Sequence, residues 1–216
     1  MREEIIEAVK KEKLVVIVRG VEQEKLIPLA EAMYAGGVRL LEITYSANQS
    51  VGDEETAASI AMLTRHFGER MAIGAGTVLN CKQVALTHEA GGRFIISPNT
   101  KKEVIEETRR LGMVSMPGAF SPSEIVDAYD YGADFVKLFP ITELGVGYVK
   151  AVRAPLSHIP MLAVGGIDLS NMADYLKVGV SGFGIGSNII NKTMLAQNNW
   201  EGIKTLAEAY VSAAKG

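Results

Sequence analysis

The sequence predicts an α/β fold, a (β/α)8 TIM barrel with an extra N-terminal helix, on three observations. Short β-branched runs alternate with longer amphipathic stretches along the whole chain, which implies right-handed crossovers and a parallel sheet. The runs number eight, so the 216 residues divide into units of about 27, close to the smallest workable strand–helix unit. An open doubly wound sheet fits the alternation too, but it more often shows a Gly-x-Gly-x-x-Gly turn after its first strand. Arg19-Gly20-Val21 is no such turn.

The elements follow in order. An opening helix sets Ile5, Ile6 and Val9 on one face, suited to plug the barrel bottom. Strand one, Leu14–Arg19, leads to a helix over Glu22–Ala35 that Gly36-Gly37 ends. Strand two, Val38–Thr44, precedes a helix over Val51–Phe67. Strand three, Met71–Ala75, precedes a helix over Asn80–Ala90, with Asn80 as cap and Gly91-Gly92 as stop. Strand four, Arg93–Ser97, leads through Thr100 as cap to Lys101–Leu111, stopped by Gly112. Strand five, Met113–Pro117, precedes Ser121–Tyr131, whose Ser121-Pro122-Ser123-Glu124 opening reads as a capping box and whose stop is Gly132. Strand six is Asp134–Phe139, followed by a helix over Gly145–Ala154. Strand seven, Met161–Val164, leads through Asp168 as cap to Leu169–Val178 and the stop Gly179. Strand eight, Ser181–Ile185, precedes a helix over Asn188–Ala214. No linker or composition shift divides the chain, so one domain over residues 1–216 is expected.

Composition narrows the function. Hydrophobic residues at 48% supply a core, and 22% charged residues argue against disorder. A net charge of −3 lacks the basic footprint of a nucleic-acid binder. One cysteine excludes an intramolecular disulfide and a Cys-based zinc site. No apolar stretch approaches the roughly 20 residues that span a bilayer, and the charged start has no signal-peptide pattern. A soluble cytoplasmic protein is expected, with no nucleic-acid or membrane partner.

Side chains alternate along a strand, and the set facing the helices must be apolar. In strand one Leu14, Val16 and Val18 face out, leaving Val15, Ile17 and Arg19 inside. In strand two Leu41 and Ile43 face out, leaving Leu40, Glu42 and Thr44 inside. In strand six Val136 and Leu138 face out, leaving Phe135, Lys137 and Phe139 inside. The same rule brings Ile73, Ala75 and then Thr77 inward on strand three. Arg19, Glu42 and Lys137 therefore converge on the C-terminal mouth, where this fold builds its active sites. An isolated buried charge costs several kcal/mol, so such residues come paired or working. An ion cluster that only sets register is the plainer reading, but Val, Ile and Leu would fill a barrel without that cost. Desolvation between two phenylalanines lowers the lysine pKa, and a neutral amine can attack a carbonyl to form a Schiff base. Glu42 opposes that shift, yet a carboxylate beside an imine suits proton transfer.

Val164-Gly165-Gly166-Ile167-Asp168 and Gly184-Ile185-Gly186-Ser187-Asn188 follow strands seven and eight. Bare glycines let backbone amides approach an anion at a helix start, and these two loops are the frequent phosphate site of the barrel. Alone, each pair also fits a tight turn. Other features carry less. Cys81 has no nearby His, and His66, His88 and His158 have no ligand spacing. Trp200 and the methionines fill core or interface, and Lys101–Arg110 is a solvated face.

These residues match a known pattern. Val18-Arg19, Leu41-Glu-Ile-Thr44, Gly74-Ala-Gly-Thr-Val78, Ile96-Ser-Pro98, Pro117-Gly118, Val136-Lys-Leu-Phe-Pro140, Gly165-Gly-Ile167 and Gly186-Ser187 occur in order. With them the chain resembles, end to end, the class I 2-keto-3-deoxy-6-phosphogluconate (KDPG) and 4-hydroxy-2-oxoglutarate (KHG) aldolases. The resemblance implies Lys137 as the Schiff-base lysine and Glu42 as general acid/base. Arg19 and Thr77 would contact the pyruvate half or the adjoining substrate oxygens, and Gly165, Gly166, Gly186 and Ser187 the phosphate. It also implies a homotrimer, a small 2-keto acid (phospho)sugar substrate, and no metal or organic cofactor. The expected reaction cleaves KDPG to pyruvate and glyceraldehyde 3-phosphate, and KHG to pyruvate and glyoxylate.

Two departures matter. Many members carry an arginine two positions after Glu-x-Thr, where this chain has Ser46; a hydroxyl cannot form the bidentate charged pair. Gluconate-type members often have Thr where Val164 stands, and valine there resembles the 2-keto-3-deoxy-6-phosphogalactonate (KDPGal) branch. Strict alternation would turn Val164 away from the lumen, but strand ends are irregular. The rival readings are the galactonate aldolase, a phosphosugar isomerase or epimerase, and a non-catalytic sugar-phosphate binding barrel.

Overall fold

The computed structural model describes residues 2–46, 48 and 50–216. The strand segments are β1 Leu14–Val18, β2 Leu40–Thr44, β3 Ala72–Gly76, β4 Phe94–Ile96, β5 Val114–Met116, β6 Gly118–Ala119, β7 Val136–Leu138, β8 Met161–Val164 and β9 Gly182–Ile185. They pair in the order β5-β4-β3-β2-β1-β9-β8-β7-β6, parallel throughout. The two ends of that order, β5 and β6, are separated only by Pro117, which has no N–H for a ladder. They are halves of one strand. The ribbon therefore closes into an eight-stranded barrel, and the predicted fifth strand runs past Pro117 to Ala119 rather than ending there.

The helices are α1 Arg2–Glu12, α2 Gln23–Ala35, α3 Asp53–Phe67, α4 Cys81–Glu89, α5 Lys102–Arg110, α6 Pro122–Asp130, α7 Gly145–Arg153, α8 Met172–Lys177, α9 Lys192–Ala196 and α10 Trp200–Lys215. Local signals explain several ends. The Asn80 side chain accepts from Gln83 N, and Ser121 with Glu124 completes the capping box. Thr100 does not cap α5; its hydroxyl donates to the Gly118 carbonyl, across the barrel wall. The single helix expected over Asn188–Ala214 is two, because Asn198 takes positive φ and Asn199 caps a new helix at Trp200. None of the helices is long and apolar enough to cross a membrane, among the described residues.

Two apolar clusters separate inside from outside. The barrel lumen holds Val15, Leu40, Phe94, Ile96, Val114, Met116, Phe135, Leu162 and Val164, closed below by Ile5 and Val9 of α1. The layer between strands and helices holds the complementary set, including Leu14, Val16, Val18, Leu41, Ile43, Val136 and Leu138. The inward assignments for β1, β2 and β7 agree with this.

The assignment for β3 does not. Ile73 and Ala75 lie in the outer layer, so the lumen face is Ala72, Gly74 and Gly76. A Cβ on Gly74 would collide with the Phe94 ring, and one on Gly76 with the Glu42 carboxyl. Small residues stand there because neighbours on β4 and β2 fill the space. Val164 belongs to the lumen cluster as well, opposite to strict counting from the mouth. Its bulk is accommodated by Gly184 across the β8–β9 ladder, where an added Cβ would sit 2.9 Å from a Val164 methyl.

Candidate active site

Lys137 sits mid-strand in β7, its amide donating to the Pro117 carbonyl at 2.8 Å. Its side chain is 7% exposed, with Nζ 4.6 Å from the centroid of the Phe139 ring. Burial pushes the lysine pKa down, the Glu42 carboxylate pulls it back up, and the Arg19 charge lowers it further. Glu42, on β2, is 1% exposed. Burial raises its carboxyl to about 7, against the pull of Lys137 and Arg19. Glu42 Oε2 is buried with no protein hydrogen-bond partner among the described residues. One amine made easier to deprotonate and one carboxyl held near neutrality are the acid–base pair that imine chemistry needs.

Arg19, one residue past β1, donates from Nη2 to Thr77 Oγ1 at 3.1 Å. Thr77 reaches the mouth by a different route from the one alternation predicts. Its φ is 56°, a left-handed conformation that costs a non-glycine residue roughly 1–2 kcal/mol. That turn swings its side chain back to Arg19 after Gly76.

Beyond β8, Gly165 and Gly166 take φ of 96° and 74° in succession, and Gly186-Ser187 opens the segment after β9. All eight residues singled out in the sequence, Arg19, Glu42, Thr77, Lys137, Gly165, Gly166, Gly186 and Ser187, line one cavity of about 610 Å³ at the C-terminal mouth. Val164 also lines it. The wall also holds Pro98 and Asn188, which belong to the sequence motifs without an individual role there, and Lys192. Lys192 had no signal, since it lies outside every motif and reaches the rim only through the short α9. Ser46 is not on this wall; it lines a neighbouring pocket that shares Arg19 and Thr77. Its hydroxyl donates to Asn48 Oδ1 at 2.6 Å and pairs with Ser50 Oγ. Its hydroxyl is therefore engaged within its own loop.

Comparison with known proteins decides the family. The family model for KDPG and KHG aldolase matches residues 5–206. The chain belongs to the KDPG and KHG aldolase family. It is a class I aldolase, a carbon–carbon lyase. A probable 2-dehydro-3-deoxy-6-phosphogalactonate aldolase of Rhizobium meliloti is 36% identical over 85% of this chain and 84% of that one. The KHG/KDPG aldolase of Escherichia coli is 33% identical over 89% and 87%. A KDPG aldolase structure from Legionella pneumophila, with pyruvate captured as a covalent carbinolamine, is 29% identical and superposes at a TM-score of 0.85, covering 95% and 97%. The aldolase barrel with its N-terminal helix is thus common to this chain and solved family members.

Proposed function

We propose that the protein cleaves a 6-phosphorylated 2-keto-3-deoxy sugar acid to pyruvate and glyceraldehyde 3-phosphate. The observation that carries this is the placement of buried Lys137 and Glu42 in the same cavity as the two glycine loops. Neutral Lys137 Nζ attacks the C2 ketone, and protonated Glu42 gives its proton to the departing hydroxyl, so that water leaves a protonated imine and a Glu42 carboxylate. Glu42 takes the C4 hydroxyl proton, directly or through water. The C3–C4 electron pair moves into the imine, forming an enamine and releasing the aldehyde. Glu42 returns that proton to C3, and hydrolysis of the imine releases pyruvate and neutral lysine and re-protonates Glu42. Arg19, with Thr77, holds the substrate carboxylate in place of the arginine absent at Ser46. Gly165, Gly166, Gly186 and Ser187 receive the phosphate. The Legionella relative's pyruvate carbinolamine supports the imine route. The same site, with glyoxylate as aldehyde, would handle 4-hydroxy-2-oxoglutarate.

Sequence alone puts the gluconate epimer first. Val164 on the cavity wall moves the galactonate epimer ahead, since a methyl there removes a hydroxyl that could bond one epimer at C4; the Rhizobium meliloti relative's name agrees. Comparing kcat/KM on the two epimers decides between them. The cytoplasmic enzyme would work as a homotrimer, which sedimentation of the intact chain tests.

The first experiment is incubation with pyruvate, borohydride reduction, and peptide mapping. A single reduced pyruvate on the Lys137 peptide is expected. No adduct on folded protein would sink the imine mechanism and favour an isomerase or epimerase.

A further inference from the structure

The two glycine loops on the cavity wall offer bare backbone, and backbone presents both signs. A peptide loop attracts an anion only if its carbonyls are held elsewhere, because an oxygen facing phosphate repels it. In the first glycine loop three successive carbonyls each accept from a side chain. Gly165 O takes Thr142 Oγ1 at 3.0 Å, Gly166 O takes Asn171 Nδ2 at 3.0 Å, and Ile167 O takes Asn188 Nδ2 at 2.8 Å. The donors come from three segments, after β7, before α8 and after β9. The Asn171 side chain also accepts from Asp168 N at 3.0 Å, spanning the turn. The amides of Gly166, Ser187 and Asn188 donate to no protein acceptor among the described residues.

We propose that Thr142, Asn171 and Asn188 are positioning residues that pin the carbonyls of residues 165–167 away from the ligand. This clamp makes the loop pair a receptor for a phosphate monoester dianion and sets the preference for phosphorylated over unphosphorylated acceptors. The proposal rests on the aldolase reading for its substrate, but the clamp itself is read from geometry. Asn188 also joins the two loops, so they move as one unit. Without the clamp, the first glycine loop can rotate a peptide and present oxygen to the anion, since its two positive-φ glycines, Gly165 and Gly166, resist that flip weakly.

Thr142 and Asn171 do not line the cavity, so their variants act on the ligand only through the loop. Thr142→Val with Asn171→Leu removes two donors while keeping volume. The double variant is expected to raise KM for the 6-phosphorylated substrate, and Ki for inorganic phosphate, about tenfold or more. Its kcat, its pyruvate trapping on Lys137 and its addition of pyruvate to glyoxylate should stay near wild type. Thr142→Ser, which keeps the hydroxyl, should restore phosphate affinity. Unchanged phosphate Ki in folded double variant would overturn the clamp, as would equal losses on phosphorylated and unphosphorylated acceptors. If the double variant does not fold, the comparison of Thr142→Val with Thr142→Ser makes the same decision. Calorimetric titration of inorganic phosphate reads the clamp without turnover. A wild type that fails pyruvate trapping yet binds phosphate, with loss in Thr142→Val, would defeat the aldolase reading and leave the clamp standing.

Discussion

Two buried charges set the terms at the residue scale. Lys137→Ala should abolish turnover and the borohydride adduct while leaving circular dichroism unchanged, because it removes a desolvated amine rather than a packing element. Glu42→Gln should lower kcat by about 10²–10⁴ with a smaller effect on imine trapping, the range for a lost acid–base group. The same variant predicts a stability signature. The folded Glu42 carboxyl sits at about 7 against a reference of 4.5, so the fold favours its protonated form. Its contribution is intact below pH 4.5 and is lost as pH rises through about 7. Glutamine cannot ionise, so the unfolding free energy of Glu42→Gln, read by urea denaturation, should gain on wild type between pH 4.5 and 8, by on the order of 3 kcal/mol at most. A gap that stays constant with pH would show that the carboxyl is not desolvated. Val164→Thr should move kcat/KM toward the gluconate epimer, measured on both epimers under one condition.

At the element scale, the β-strands show how the lumen makes room for chemistry. The lumen faces of β3 and β9 are nearly bare, with Gly74 and Gly76 on one and Gly182 and Gly184 on the other, while β2 and β7 supply the long polar side chains. Gly76→Ala tests this directly. Its methyl would occupy the space of the Glu42 carboxyl, so a loss of about 1–3 kcal/mol of stability together with severe loss of kcat is expected, measured by denaturation and turnover. Retained activity would mean that Glu42 has another place to go. The sequence reading failed on β3 for a physical reason: Ala72-Ile73-Gly74-Ala75-Gly76 has no polar residue to mark a face, and glycine carries no hydropathy sign. Where a charge marks the face, as Glu42 and Lys137 do, alternation and the structure agree. Thr77 comes to the cavity wall by a positive φ that no alternation rule contains.

The whole molecule depends on closing the barrel at both ends. Pro117 interrupts the fifth strand, yet the carbonyls of Ser115, Pro117 and Ala119 accept in turn from the amides of Phe135, Lys137 and Phe139. Below, α1 covers the lumen with Ile5 and Val9 and is anchored by the Arg2 pair with Asp134, a side chain only 4% exposed that also accepts from Ser115 N. Removing residues 1–12 should cost about 3–5 kcal/mol from the apolar burial alone and open the lumen floor. Urea denaturation checks the loss; an unchanged midpoint would show α1 to be dispensable. The mouth is unaffected in place but should lose kcat as the barrel loosens.

The sequence by itself determined the eight-fold alternation, the opening plug, the three ionisable residues on inward faces and the two glycine loops, because each leaves a local mark in periodicity, charge or composition. The tertiary structure decided which side of β3 and of Val164 faces the lumen, that Ser46 is spent inside its own loop, and that Lys192 reaches the cavity rim. It also decided that Thr142, Asn171 and Asn188 meet three consecutive carbonyls. Those facts depend on space left by neighbouring strands and on hydrogen bonds between segments as many as 23 residues apart, and neither is written in the residues' own neighbourhood.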